Sequence, residues 1–175
     1  MWKKMSSKEI FSHSRLTLIE DEVELPNGIK TTYLKFKDDG SSAGTIICKR
    51  DDGKILVQKE YSYPPNQKLF QFPGGTISAD EDLKEGINRE LMEEADLKAN
   101  NLELIGEYLV DNRRSTAKFY IFLATELEES SLPADEEEDI ESFWFSEQEI
   151  DEMIAKGQII NCHLIAAWTF YKLKK

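Results

Sequence analysis

Residues 74–97 read GGTISADEDLKEGINRELMEEADL, two glycines after Pro73 followed by a run dense in carboxylates. Asp82 and Glu85 have the spacing of a helix N-cap and its reciprocal partner. Leu83, Ile87 and Leu91 then recur every fourth residue, the mark of a helix with one apolar stripe. At about 100° per residue, Glu90, Glu93 and Glu94 project within an arc of roughly 100°. Like charges so placed repel one another. Their arc overlaps the apolar stripe, so the carboxylates belong at the edge of the core. There desolvation and mutual repulsion both oppose ionisation. Divalent cations relieve both effects, and hard oxygen ligands with no His or Cys nearby favour magnesium, manganese or calcium over zinc. The competing reading is a solvated acidic helix face. Spacing argues against it: six specified residues at these intervals arise by accident on the order of once in 10,000 such chains.

The series Gly75, Glu81, Arg89, Glu90, Leu91, Glu93, Glu94 and Leu97 resembles the Nudix box, G-x5-E-x7-R-E-U-x-E-E-x-G-U with U a bulky apolar residue. One position departs: Asp96 stands where the family has glycine. That glycine ends the helix with positive φ, which Asp adopts at some cost. The resemblance implies an α/β/α sandwich with a mixed sheet. It implies Mg²⁺, with Mn²⁺ as a substitute, held by Glu90, Glu93, Glu94 and the backbone carbonyl of Gly74. Gly75 and Glu81 would be structural, and Arg89 would orient the glutamates, Glu81 among them.

The flanks, ELPNG at 24–28, GKILVQKEYSYP at 53–64, FQFPGG at 70–75 and KGQIINCHLIAAWTFYKL at 156–173, are similar to the ADP-ribose pyrophosphatase branch of that family. The similarity covers about residues 14–173. It implies a homodimer associated through an exchanged N-terminal sheet. Ala134–Ile140 is similar to a loop of those enzymes whose glutamates would be Glu136, the general base, and Glu138, a metal ligand. Glu93 is the fallback base. An acidic run is also, by itself, a solvated loop. Two departures leave the base and sugar open: Ser62 where the branch often has arginine, and Gln71-Phe72-Pro73 at the entrance to the glycines.

The chain has 175 residues, enough for one good core with a small appendage. A net charge of −12 argues against a nucleic-acid groove, since no basic stripe is available to neutralise phosphates. The longest wholly apolar run, Phe119–Ala124, is too short to span a membrane, and MWKKMSSKEIF has no apolar h-region. Cys48 and Cys162 read as buried free thiols, and a cytoplasmic protein follows as the default. His13 and His163 lie in no ligand spacing.

In chain order, residues 1–9 look frayed. HSRLTLIE and KTTYLKFK read as strands around an Asn27-Gly28 turn, and Asp39–Ser42 breaks the pattern. Residues 1–42 are therefore expected to form an N-terminal antiparallel sheet, which the resemblance implies is used for dimerisation, and 43–175 the Nudix domain. GTIICKR and KILVQKEY flank Asp51-Asp52-Gly53 as a second hairpin. LELIGEYLV, AKFYIFLAT and ESFWF are strands. Ser146 with Glu149 opens one helix, and Asn161 opens another whose Leu164, Ala167, Trp168 and Tyr171 share a face. Arg113, Arg114 and Lys118 are either phosphate contacts or solvated loop charges. Tyr61, Tyr63, Phe70 and Phe72 are either a stacking face for a base or core.

The function that this reading supports is metal-dependent hydrolysis of the pyrophosphate of a nucleoside diphosphate sugar, ADP-ribose first. Alternatives are GDP-mannose or a (deoxy)nucleoside triphosphate as substrate, or a nucleotide-binding module without catalysis, for which Asp96 is the one support.

Overall fold

A computed structural model describes residues 1–133 and 139–174. The chain divides into two compact units: Met1–Ser41 with Leu109–Lys118, and Ser42–Tyr108 with Phe119–Lys175.

In the first unit, β1 (Lys3–His13), β2 (Leu16–Glu24) and β3 (Lys30–Phe36) form an antiparallel sheet in that order. Gly28 turns β2 into β3 at φ +82°, its N–H donating to Leu25 O at 2.9 Å. The N-terminus is not frayed. β1 pairs with β2 from Lys3↔Glu24 to His13↔Leu16. Opposite charges face each other across the strands, with Lys8 Nζ 3.0 Å from Glu20 Oε1. Two register shifts, between Lys4 and Ser6 and between Glu9 and Phe11, break the alternation that would have marked a strand. Residues 109–118 return to this sheet. Phe36 N–H donates to Arg114 O at 2.8 Å, and Thr116 Oγ1 to Asp38 at 2.7 Å.

The second unit carries β4 (Ser42–Cys48), β5 (Ile55–Ser62), β6 (Gln67–Gln71), β7 (Thr76–Ile77), α1 (Leu83–Ala95), β8 (Leu97–Leu109), β9 (Lys118–Glu129), β10 (Ile140–Phe145), α2 (Glu147–Ala155) and α3 (Cys162–Leu173). Its strands order as β7-β4-β9-β8, a mixed sheet with β4 parallel to β9, and β10-β5-β6, which is antiparallel. The expected hairpin of β4 with β5 does not form. The Asp51-Asp52-Gly53 turn is present, closed by the Arg50 N–H to Lys54 O bond at 3.0 Å and the Lys49↔Ile55 bridge, but the pairing goes no further along the two strands. β4 runs from there into the mixed sheet and β5 into the antiparallel one. Both strands are buried on both faces, so each fits an interior position in its own sheet.

Side-chain alternation then builds two cores. Ile46, Cys48, Leu56, Phe122 and Ala124 pack with Ile87 and Leu91 of α1. Their neighbours Ile47, Ile55, Val57 and Ile121 pack with Ile150 of α2 and Leu164 and Trp168 of α3. Helices on both faces of the strands give an α/β/α sandwich. Ser146 and Glu149 form the capping box of α2, and Asn161 caps α3, whose buried residues are Leu164, Ala167, Trp168 and Tyr171. Both cysteines are free; Cys48 is buried, whereas Cys162 is exposed in the first turn of α3, where its side chain points off the apolar face. Among the described residues no helix is long and apolar enough to cross a membrane.

Candidate active site

Helix α1 starts where Asp82 Oδ1 accepts the N–H groups of Lys84 and Glu85 at 2.9 and 3.2 Å. Glu85 makes no return bond, so the cap is one-sided. The helix ends at Asp96, which takes the left-handed conformation (φ 53°, ψ 32°) and donates its N–H to Leu91 O.

Arg89 is the hub between these ends. Its Nε and Nη2 donate to the two carboxylate oxygens of Glu81 at 3.0 and 3.2 Å, a bidentate pair. Its Nη1 donates to Glu90 Oε1 at 3.0 Å and to Glu93 Oε2 at 2.9 Å, and Nη2 also reaches Thr76 O at 3.2 Å. The Arg89 hydrogen bond holds the Glu81 carboxyl below its ordinary pKa. Glu90 goes the other way. Burial pushes its pKa up, outweighing the pull of Arg89, and the charges of Glu93 and Glu81 add to the rise.

Two glycines bring the backbone against this cluster. Gly74 has φ +144°, and a Cβ there would lie 2.7 Å from Thr45 Cα, so only glycine fits. Its N–H donates to Glu94 Oε2 at 3.0 Å. A Cβ on Gly75 would collide with the Glu90 carboxylate. Gly86, not singled out from the sequence, does the same for Glu81: a Cβ there would sit 2.9 Å from the Glu81 carboxyl carbon.

Among the described residues no three acidic, His or Cys side chains already converge as a metal cage. One guanidinium nitrogen bridges Glu90 and Glu93, so a cation has to compete with Arg89 for those oxygens. The donor set nevertheless fits a hard divalent ion. Glu90, Glu93 and Glu94 supply only carboxylate oxygens, Glu90 is partly desolvated with a raised pKa, and Gly75 leaves its carboxylate clear of side chains. Glu136 and Glu138 lie outside the described residues. Ser130 N–H donates to Asp96 O at 3.1 Å and Leu132 N–H to Met92 O at 3.2 Å, tying the residues just after β9 to the end of α1.

Beside Gly74 and Gly75 lies a cavity of about 230 Å³, walled by Thr45, Phe72, Phe119 and His163 and free of Lys, Arg, Asp and Glu in its lining. Phe119 stacks on His163 at 4.4 Å between ring centres, and Tyr108 Oη lies 2.6 Å from His163 Nδ1. Burial raises the tyrosine pKa and lowers that of the histidine. Both groups are therefore neutral at pH 7, and a single proton is shared between the tyrosine hydroxyl and His163 Nδ1 as one hydrogen bond. A lone His without ligand spacing carried no such signal in the sequence. Phe72 is buried here, whereas Tyr61 is exposed on the β5–β6 hairpin with its hydroxyl 2.9 Å from Asn66 Oδ1. Arg113 belongs to the first unit, where its N–H donates to Asp111 Oδ1 at 3.2 Å.

The NUDIX domain model matches residues 39–166, and the chain belongs to that family as a Nudix hydrolase resembling the ADP-ribose pyrophosphatases. It is 25% identical over 175 residues to the ADP-ribose pyrophosphatase of Bacillus subtilis, covering 99% of this chain and 94% of that protein. It is 30% identical over 131 residues to the ADP compounds hydrolase NudE of Escherichia coli, covering 74% and 70%. A crystal structure of an ADP compounds hydrolase shares the fold, with a TM-score of 0.91 at 20% identity over 98% of this chain and 92% of that one.

Proposed function

We propose that this hydrolase cleaves the pyrophosphate linkage of a nucleoside diphosphate sugar, with ADP-ribose the first candidate, giving a nucleoside monophosphate and a sugar phosphate. The observation that carries the reading is the Arg89-centred carboxylate cluster set against Gly74 and Gly75. The two relatives named for ADP-ribose and ADP compounds support the substrate class.

Glu90, Glu93, Glu94 and the Gly74 carbonyl would hold Mg²⁺, with Mn²⁺ a substitute. The ion screens the anionic diphosphate, polarises a phosphoryl oxygen and makes water more acidic. Arg89 keeps its proton throughout, so its part is to orient Glu90 and Glu93 and to tie them to Glu81. Glu93 spends one oxygen on Arg89. By the resemblance of its loop to that of the ADP-ribose pyrophosphatases, Glu136 is our first choice to take the proton from the attacking water, with Glu93 the second. The uncharged cavity lining suits an uncharged part of the substrate next to the diphosphate, with the His163 ring as a hydrogen-bonding partner for it. Arg113 is a weaker candidate for phosphate contact, and Tyr61 for base contact. We place the protein in the cytoplasm, where two free cysteines stay reduced, acting on small nucleotides as a homodimer joined through the N-terminal sheet of residues 1–42.

Comparing kcat/KM across ADP-ribose, other ADP-sugars, GDP-mannose and nucleoside triphosphates tests the substrate assignment. ADP-ribose is expected to lead; a nucleoside triphosphate in first place would overturn it. In the same panel, His163→Phe should lower kcat/KM for the best substrate by about tenfold, the worth of one neutral hydrogen bond. An unchanged value would remove His163 from the site.

A further inference from the structure

The last carbonyls of a helix have no partner within it, and α1 is supplied with donors from outside. Asp96 N–H serves Leu91 O, and Leu132 N–H serves Met92 O. The third donor is a side chain. Gln58 Nε2 donates to Glu94 O at 3.1 Å from the middle of β5. Gln58 is fully buried. Because its partner is a carbonyl, the amide must turn its nitrogen toward α1. Oε1 is then left buried with no hydrogen-bond partner among the described residues. A buried, unsatisfied acceptor destabilises the fold, and a leucine or methionine of similar size would avoid that cost. What offsets it is the group that the other end of the amide holds.

That group belongs to Glu94. Its backbone carbonyl is fixed by Gln58, and its carboxylate accepts from Gly74 N–H. The next turn ends on Asp96 in the left-handed region, where an aspartate is less at ease than glycine. An external clamp on the residue two positions earlier therefore matters more here than on a helix closed by glycine.

We propose that Gln58 is a positioning residue for Glu94: by holding the Glu94 carbonyl it sets the carboxylate against Gly74, and so sets how tightly the site binds a divalent cation. This rests on the reading above that Glu94 is a cation ligand. Outer partners of metal ligands typically contribute roughly 10- to 100-fold in metal affinity.

The test is Mn²⁺ and Mg²⁺ binding to the substrate-free protein by calorimetry, with melting temperature measured alongside. Gln58→Leu and Gln58→Met should weaken cation binding about tenfold or more, with KM for substrate at saturating Mg²⁺ unchanged. Val57→Ala is the control, since Val57 is equally buried but packs in the other core, with α2 and α3. It should lower the melting temperature and leave cation affinity alone. Cation affinity within twofold of wild type in both Gln58 variants, or an equal loss in Val57→Ala, overturns the proposal. If neither Gln58 variant folds, the wild-type protein still decides by NMR. The Gln58 side-chain NH₂ and the Gly74 amide should shift together on Mg²⁺ titration, with one apparent Kd. A Gln58 signal that stays still while Gly74 moves overturns the proposal. If the wild type binds neither cation, the cation-site reading itself is wrong, an outcome distinct from equal binding by wild type and Gln58→Leu.

Discussion

Glu90 and Glu81 sit on the same arginine, and their environments push them in opposite directions. A carboxyl whose pKa is higher in the folded chain binds more protons folded than unfolded between its two pKa values, so stability falls as pH rises through that window. Glu90 is such a group, raised chiefly by burial. Glu81 is the reverse. Its lowered pKa contributes stability above the ordinary carboxyl range that is lost as pH falls through the depressed value. Glu90→Gln should therefore melt higher than wild type at pH 7.5 without divalent cations, and the gap should narrow on acidification to the ordinary carboxyl range. The same variant should lose kcat/KM on the order of 100-fold, the loss of one strong transition-state contact. A melting temperature below wild type at pH 7.5 would show that the Arg89 pair outweighs desolvation.

At the scale of elements, local chemistry was readable and partnership was not. The caps at Asp82, Ser146 and Asn161 stand where the sequence places them, because a cap is decided by a few consecutive residues. Ser146→Ala should cost about 1 kcal/mol in denaturant unfolding. Asp96→Gly should gain up to about 1 kcal/mol by removing the left-handed strain, with activity retained; a loss of stability would mean that the aspartate side chain contributes more than its backbone costs. The split of β4 from β5 was hidden, because Asp51-Asp52-Gly53 reports a turn but not which sheet each arm joins. β1 was hidden by its two register shifts. In the site, charged residues at fixed intervals along one helix were legible. Gln58, Gly86, Tyr108 and His163 were not, since each acts across distant elements and has no local signature.

For the whole molecule, the N-terminal unit exposes Trp2, Met5, Phe11 and Leu34 to solvent, and a three-stranded sheet of this kind gains stability by covering an apolar face. The homodimer proposed above would cover these side chains, so it predicts a dimer by light scattering at micromolar concentration, shifted toward monomer by Phe11→Lys. A wild-type monomer would contradict that assembly. Whether the α1 carboxylates serve catalysis through a bound cation can be read from ³¹P NMR of ADP-ribose hydrolysis. With Mg²⁺ present, the wild-type protein should convert the diphosphate signal to two phosphomonoester signals. EDTA should abolish the conversion, and Glu94→Gln should slow it at least about 100-fold. Hydrolysis by Glu94→Gln at the wild-type rate, or hydrolysis that persists in EDTA, would mean that the α1 carboxylates hold no catalytic cation.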